Sequence, residues 1–244
     1  MTPVAIHTLV EAAAYFVGFR YFLFERRRLA LAALADQDRS IWIGLGAIVG
    51  AAIGAKLGFW IEDPLAAFAD FPQWQHLLAG KTIVGALLGG LIGVETAKHF
   101  AGVRESSGDA FALPLIVGIA IGRVGCFLAG LDDHTYGNPT SLPWGVDFGD
   151  GIARHPTQLY EIAFLLLLAW LLHRRRAQFE RTGDRFRAFL IAYLAFRLAI
   201  DAIKPIPYAY LGLLSGIQLL CIGGLVYYRR DIKRIASVLA WGRN

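Results

Sequence analysis

Apolar residues fall in seven blocks separated by polar connections, and each block is long enough, or nearly so, to cross a hydrocarbon core of roughly 30 Å as a helix. The blocks run Val4 to Phe24, Ile41 to Ile61, Thr82 to Phe100, Ala110 to Leu131, Thr157 to Leu172, Ala188 to Ile203 and Tyr210 to Tyr228. The expected fold class is therefore all-α, a polytopic membrane bundle of about seven transmembrane helices. Charge sorts the connections. Two-thirds of the 24 Lys and Arg follow the first, third, fifth and seventh blocks, including Arg26 to Arg28, Arg174 to Arg176 and Arg229-Arg230. The alternate connections carry Glu62, Asp63, Asp70, Asp132, Asp133, Asp147 and Asp150. Because cationic loops are retained in the cytoplasm, this pattern puts the N-terminus outside and the C-terminus inside. No basic stretch precedes the first block and no small-residue cleavage site follows it, so it is expected to remain as a span.

Nothing divides residues 1–244 into separate domains, so a single integral membrane domain is expected. The connection 132–156, between the fourth and fifth spans, is rich in Gly, Pro, Asp and aromatic residues, and reads as an ordered outer lid or wall. Gly44, Gly46, Gly50, Gly54 and Gly58 include pairs spaced four apart, which predicts close helix packing. No internal repeat supports an inverted-repeat transporter.

Composition agrees with this pattern. The chain is 56% hydrophobic, and its mean hydropathy of +0.50 excludes an ordinary water-soluble domain. Its net charge of +5 follows from loop topology facing anionic lipid headgroups, so no nucleic acid partner is inferred. Cys126 and Cys221 lie in separate apolar blocks, which predicts no disulfide and no structural metal.

Ionisable residues within or beside the spans are Glu11, Arg20, Lys56, Glu95, Arg123, Glu161, Arg197 and Asp201. A lone charge in lipid costs on the order of 3 kcal/mol, so each needs a partner, a cavity or a ligand. Lys56 and Glu95 read as structural pairing groups. Arg197, Asp201 and Lys204 recur at helical spacing on one face and could line a polar chamber or simply form a salt bridge. Arg123 and Arg197 cannot neutralise each other. Together they could bind a phosphate by bidentate hydrogen bonds, or be satisfied by a carboxylate from Asp201, Glu161 or Asp150.

His155 precedes Pro156 and is expected at a helix mouth, where it could accept a proton or brace the loop. Gln158, Tyr160 and Glu161 follow in the first turns of that helix and could orient a ligand or brace Arg123. Cys126, three residues after Arg123, is read as an apolar filler in preference to a nucleophile.

These pieces, in order and spacing, resemble the bacterial prolipoprotein diacylglyceryl transferase family. The family's Gly-Arg-x-Gly-Asn-Phe signature is matched by Gly122-Arg-Val-Gly-Cys-Phe127, and its His-Pro-Ser-Gln-Leu-Tyr-Glu element by His155-Pro-Thr-Gln-Leu-Tyr-Glu161. Its Arg-Phe-x-x-Glu-Phe-Phe-Arg pattern is echoed by Arg197-Leu-Ala-Ile-Asp-Ala-Ile-Lys204, and its Ser-x-Gly-Gln by Ser215-Gly-Ile-Gln218. The resemblance implies transfer of the diacylglyceryl group from phosphatidylglycerol to the lipobox cysteine of a prolipoprotein, with release of glycerol phosphate. It implies a multi-pass protein of the bacterial plasma membrane that uses no metal or cofactor, and a monomer suffices to enclose one lipid. Arg123 and Arg197 then act on the phosphate, and the proton acceptor is left open among His155, His134 and an aspartate. Gln158, Tyr160, Glu161, Asp201 and Gln218 line the substrate.

Three departures fall at the chemistry. The family places a histidine in a His-Gly-Gly-Leu run of the third span, and the stretch matched to it, Val84-Gly-Ala-Leu87, has none. Cys126 stands at the signature asparagine, and Leu131 to Gly137 replaces a Glu-containing segment. The alternatives are a relative that transfers a lipid or headgroup portion to another acceptor, or a noncatalytic lipid-binding or transport protein.

Overall fold

Helices form where the apolar blocks are, with ends set by capping residues. The computed structural model describes residues 3–69, 77 and 80–240. Helix α1 spans Pro3–Leu29 and closes on Arg26, Arg27 and Arg28, cations that suit the negative end of the helix dipole. Helix α2, Gln37–Glu62, starts where the Asp36 carboxylate accepts from the Arg39 backbone N–H at 2.8 Å. The short α3, Pro64–Phe68, is capped by Asp63, and α4, Ile83–Phe100, by Thr82. Helix α5, Asp109–Ala129, runs on into a 3-10 turn, Gly130–Asp133. An antiparallel ribbon of β1, Val146–Asp147, and β2, Ala153–Arg154, precedes α6, Thr157–Arg174. Helix α7, Asp184–Ile200, ends in a 3-10 turn, Asp201–Ile203. Helices α8, Gly216–Tyr227, and α9, Arg229–Leu239, complete the described chain.

Among the described residues, three helices are long and apolar enough to cross a membrane: α2, α4 and α5 with its 3-10 extension. The block expected from Tyr210 becomes helical only at Gly216. Leu211 and Gly212 adopt positive φ of 52° and 70°, which breaks a right-handed helix. Ser215 then restarts it with a capping box closed by Gln218. The apolar surface is turned outward: Ile48 is 71%, Phe16 67% and Leu166 61% exposed, as expected of helices whose solvent is lipid.

The chain divides into two compact units. The first comprises Met1–Leu29, Gly108–Pro205 and Lys233–Asn244. Here α1 packs on α5, and α5 packs on α6 and α7. The α1–α5 approach is close at Gly125, where a Cβ would stand 3.1 Å from His7 Cδ2. The N-terminus of α7 lacks a local side-chain cap. Asp109 on α5 supplies one, its carboxylate accepting from the backbone N–H groups of Gly183, Arg185 and Phe186 at 2.8, 3.0 and 3.3 Å. Buried Glu25 on α1 meets Arg185 at 3.6 Å.

The second unit, Ala30–Ser107 and Ile206–Ile232, is organised by glycine. Gly46, Gly50 and Gly54 of α2 lie directly on Gly93, Gly89 and Gly85 of α4. A Cβ at Gly46 would fall 2.5 Å from the Gly93 carbonyl oxygen, and those at Gly50 and Gly54 would meet the carbonyls of Gly89 and Gly85. The two backbones therefore touch along three turns, which no other residue permits. The predicted small-residue packing is seen here, but Gly44 is not part of it and faces open space. Lys56 donates to the Gly80 carbonyl at 2.8 Å and Glu95 pairs with Lys98 at 2.9 Å, consistent with structural pairing.

Gly50→Leu should lower the unfolding free energy in detergent by about 2 kcal/mol or more, since it overpacks a backbone contact. Gly44→Leu, on the same helix, should change it by less than about 0.5 kcal/mol. Equal effects of the two substitutions in a denaturant titration would refute the backbone contact.

Candidate active site

In the first unit, one carboxylate gathers three helices. Glu161 lies one turn into α6, and both its oxygens are occupied. Tyr193 on α7 donates to Oε1 at 2.6 Å, and Arg197, one turn further along α7, donates to Oε2 through Nη1 at 3.2 Å. Arg123, near the end of α5, brings its Nε to 2.9 Å of the same Oε2. Arg197 also donates through Nη2 to Asp201 Oδ1 at 2.8 Å. All four charged groups are buried, with exposures of 6% for Arg123, 3% for Glu161, 5% for Arg197 and 4% for Asp201. Two guanidiniums and two carboxylates balance, which is what permits them to be buried together.

The choice left open by sequence is thus resolved in part: Glu161 serves both arginines, Asp201 serves Arg197, and Asp150 serves neither. Asp150 holds Arg154 through two bonds of 2.7 Å. Those hydrogen bonds keep its exposed carboxyl below the ordinary aspartate range. The arginines retain capacity. Nε of Arg123 and Nε of Arg197 are buried without a hydrogen-bond partner, the former because its approach to Glu161 is close but poorly aligned.

The loop before α6 is stitched in place. Asn138 donates to the Ile203 carbonyl at 2.8 Å, and Gly137 to the His155 carbonyl at 2.9 Å. Gly137 is required there, since a Cβ would lie 2.7 Å from that of His155. Trp144 donates its indole N–H to the Tyr160 hydroxyl at 2.8 Å, and that hydroxyl lies 3.2 Å from His155 Nδ1. The hydroxyl accepts from Trp144, and its contact with Nδ1 runs in either direction according to the imidazole tautomer. His155 and Tyr160 therefore form a bracing set at the base of the loop. Gln158 donates to Thr135 Oγ1 at 3.1 Å. Gln218 belongs to the second unit, where it closes the cap of α8.

Sequence reading missed Tyr193, His7 and Asp133. Tyr193 precedes Arg197 by four residues, a spacing that could have flagged it. His7 carries no local signal. It reaches Cys126 Sγ at 3.9 Å and Asp133 Oδ1 at 3.6 Å, and Arg123 Nη1 lies 3.7 Å from the same sulfur. One ligand atom each of His7, Cys126 and Asp133 lies within 4.8 Å of the others, a donor set able to hold a metal ion.

A model of the family described as prolipoprotein diacylglyceryl transferase matches residues 1–228. The chain belongs to this family. A phosphatidylglycerol–prolipoprotein diacylglyceryl transferase of Cupriavidus metallidurans is 35% identical, with 87% of this chain and 84% of that protein covered. One of Geobacter sulfurreducens is 33% identical, covering 83% and 79%. One of Paracidovorax citrulli is 32% identical, covering 98% and 91%. Set against the prolipoprotein diacylglyceryl transferase pattern, the segments of resemblance bearing Arg123, Glu161 and Arg197 are those that converge in the buried cluster. The histidine of the third span is absent, and the better match to His-Gly-Gly-Leu is Leu88-Gly-Gly-Leu91, one turn beyond Val84. Leucine therefore replaces it.

Glu161→Gln leaves two buried guanidiniums with a single carboxylate, and should lower the unfolding free energy by about 3 kcal/mol. Tyr193→Phe removes one hydrogen bond to the carboxylate and should cost about half as much, near 1.5 kcal/mol. Equal stability of wild type and Glu161→Gln in a denaturant titration would show that the cluster does not hold the helices together.

Proposed function

We propose that this protein transfers the diacylglyceryl group of phosphatidylglycerol to the lipobox cysteine of prolipoproteins, releasing glycerol phosphate. The observation that carries the proposal is the buried Arg123–Glu161–Arg197 cluster, assembled from the segments that bear the family resemblance. In this reading the headgroup phosphate is held by the N–H groups that Arg123 and Arg197 do not spend on Glu161 and Asp201. Glu161, Asp201 and Tyr193 orient the two guanidiniums. A positioned pair of cations stabilises a phosphate more as it leaves with an added charge than when it is esterified, and that difference lowers the barrier.

The reaction is a displacement at carbon. The acceptor sulfur forms a bond to the glyceryl carbon attached to the phosphate oxygen, that carbon–oxygen bond breaks, and the electron pair leaves on glycerol phosphate. In this reading the thiol proton passes to His155 Nε2, with Nδ1 donating to the Tyr160 hydroxyl, and His155 with Trp144 also secures the loop 132–156 as the wall of the site. Gln158 fixes the start of that loop through Thr135. The protein spans the bacterial plasma membrane about seven times, N-terminus outside, a topology supported by the alternation of basic and acidic connections. One chain suffices for one lipid. A different acceptor is the second reading, favoured by the missing third-span histidine.

The test incubates the purified protein in phosphatidylglycerol bilayers with a lipobox peptide, and follows glycerol phosphate release and peptide mass together. The expected outcome is release with a diacylglyceryl-modified peptide, reduced about a hundredfold or more by Arg123→Ala and by Arg197→Ala. Lipid consumption with an unmodified peptide would instead assign another acceptor, and no consumption at all would refute an enzyme.

Lys204, just beyond the end of α7, adds a pH dependence. Burial first, then the nearby Arg197 and Arg123, push its ammonium down to about 8. It is protonated below that pH and supplies a third cation to the phosphate. Headgroup affinity should therefore weaken as pH rises through about 8, seen as a rise in KM for phosphatidylglycerol. Lys204→Arg should remove that rise, and a KM equally pH-dependent in both proteins would exclude Lys204.

A further inference from the structure

Gln158 carries a polar atom that the bracing of the loop leaves unused. The residue lies in the first turn of α6 and is 1% exposed. Proton accounting fixes which way its amide is turned. The Asp133 carboxylate can only accept, so the Thr135 hydroxyl gives its proton to it. The Thr135 oxygen is then an acceptor, and it takes an N–H of Gln158 at 3.1 Å. The Thr157 hydroxyl donates to the Thr135 carbonyl at 2.5 Å and holds the same turn against α6. The amide nitrogen is thereby committed to Thr135, and Oε1 is the opposite end of the group. That oxygen is buried and has no hydrogen-bond partner.

Gln158 and Glu161 are neighbours on one face of α6, with residues at this spacing roughly 5–6 Å apart at Cβ. Glu161 is where Arg123 and Arg197 meet. Among the described residues, the buried atoms around this carboxylate without a partner are thus two donors, Nε of Arg123 and Nε of Arg197, and one acceptor, Oε1 of Gln158. Leaving buried polar groups unpaired is costly, so a ligand that pairs them gains affinity. A phosphate ester with a plain alkyl group answers the two arginines and leaves Gln158 unpaired. A phosphate ester of glycerol answers all three, because a hydroxyl supplies the proton that the amide oxygen lacks. An ammonium headgroup also brings donors, but it sets a cation beside two guanidiniums, a repulsive element against that class of lipid.

We propose that Gln158 sets the choice of lipid donor: its Oε1 accepts a hydrogen bond from a glycerol hydroxyl of the headgroup and so selects phosphatidylglycerol among phosphate-bearing lipids. This rests on the transferase reading for the identity of the donor. No bond to Gln158 forms or breaks, and its contact is with the part of the lipid that leaves as glycerol phosphate. The preference is a difference in pairing, since a site built around a hydroxyl rejects the analogue that lacks it and would leave the acceptor buried and unpaired. Thr135 is a positioning residue, which keeps the amide from turning over.

The test compares phosphatidylglycerol with phosphatidylpropanol, which keeps the phosphate and acyl chains and has a propyl group in place of the glycerol. For the purified full-length protein, Kd is measured by calorimetry with short-chain forms of both lipids, and kcat/KM with a lipobox peptide in bilayers of each. The wild type should prefer phosphatidylglycerol about tenfold or more in both measurements. The near-isosteric Gln158→Met should bring both ratios to about one, by weakening phosphatidylglycerol alone. Thr135→Val, which leaves Gln158 in place but releases its amide, should lower them about threefold. A role confined to holding the loop would instead slow both lipids equally and leave the ratios untouched, which overturns the assignment. Ratios near one in the wild type do the same, as does a wild-type ratio kept by Gln158→Met, or by Thr135→Val where Gln158→Met does not fold. Selective binding that Gln158→Met abolishes, without turnover of either lipid, would uphold Gln158 and sink the transferase reading. Turnover with no preference between the two lipids would do the reverse, and binding of neither would overturn both.

Discussion

Everything in the first unit turns on the Glu161 carboxylate. Two guanidiniums from different helices, Arg123 on α5 and Arg197 on α7, meet at one of its oxygens, and the Tyr193 hydroxyl meets the other. Without this negative charge, two buried cations would repel each other in a medium that screens poorly. With it, and with Asp201 on the far side of Arg197, the four charges cancel and three helices share one anchor. The neutrality is local and incomplete in hydrogen bonds, since Nε of each arginine is left without an aligned acceptor. Such a cluster can be buried and still keep donors that no side chain of the protein fully satisfies.

The second unit is held together by a different means. Its long helices α2 and α4 meet through glycines at four-residue spacing, with main chain against main chain. In lipid the hydrophobic effect does not drive helices together, so van der Waals contact and weak Cα–H···O interactions must. Glycine maximises both. Large side chains such as Ile48 are directed away from the seam and left exposed, where hydrocarbon is their natural solvent.

Much of this was legible in the chain. Apolar block length determined the helical membrane class, because lipid offers no partner to unpaired backbone groups. The expense of charge in hydrocarbon singled out Arg123, Glu161, Arg197 and Asp201, and the spacing of glycines marked α2 as a packing surface. Local rules failed where partners come from distant segments. Which carboxylate each arginine would use, and why Tyr193 matters, depend on helices brought together only in the folded chain. The same holds for His7, which meets Cys126 across 119 positions because Gly125 lets α1 come close. The helical pattern is a property of near neighbours and is written in order along the sequence. The meeting of polar atoms is a property of distance in space, and only the tertiary structure decides it.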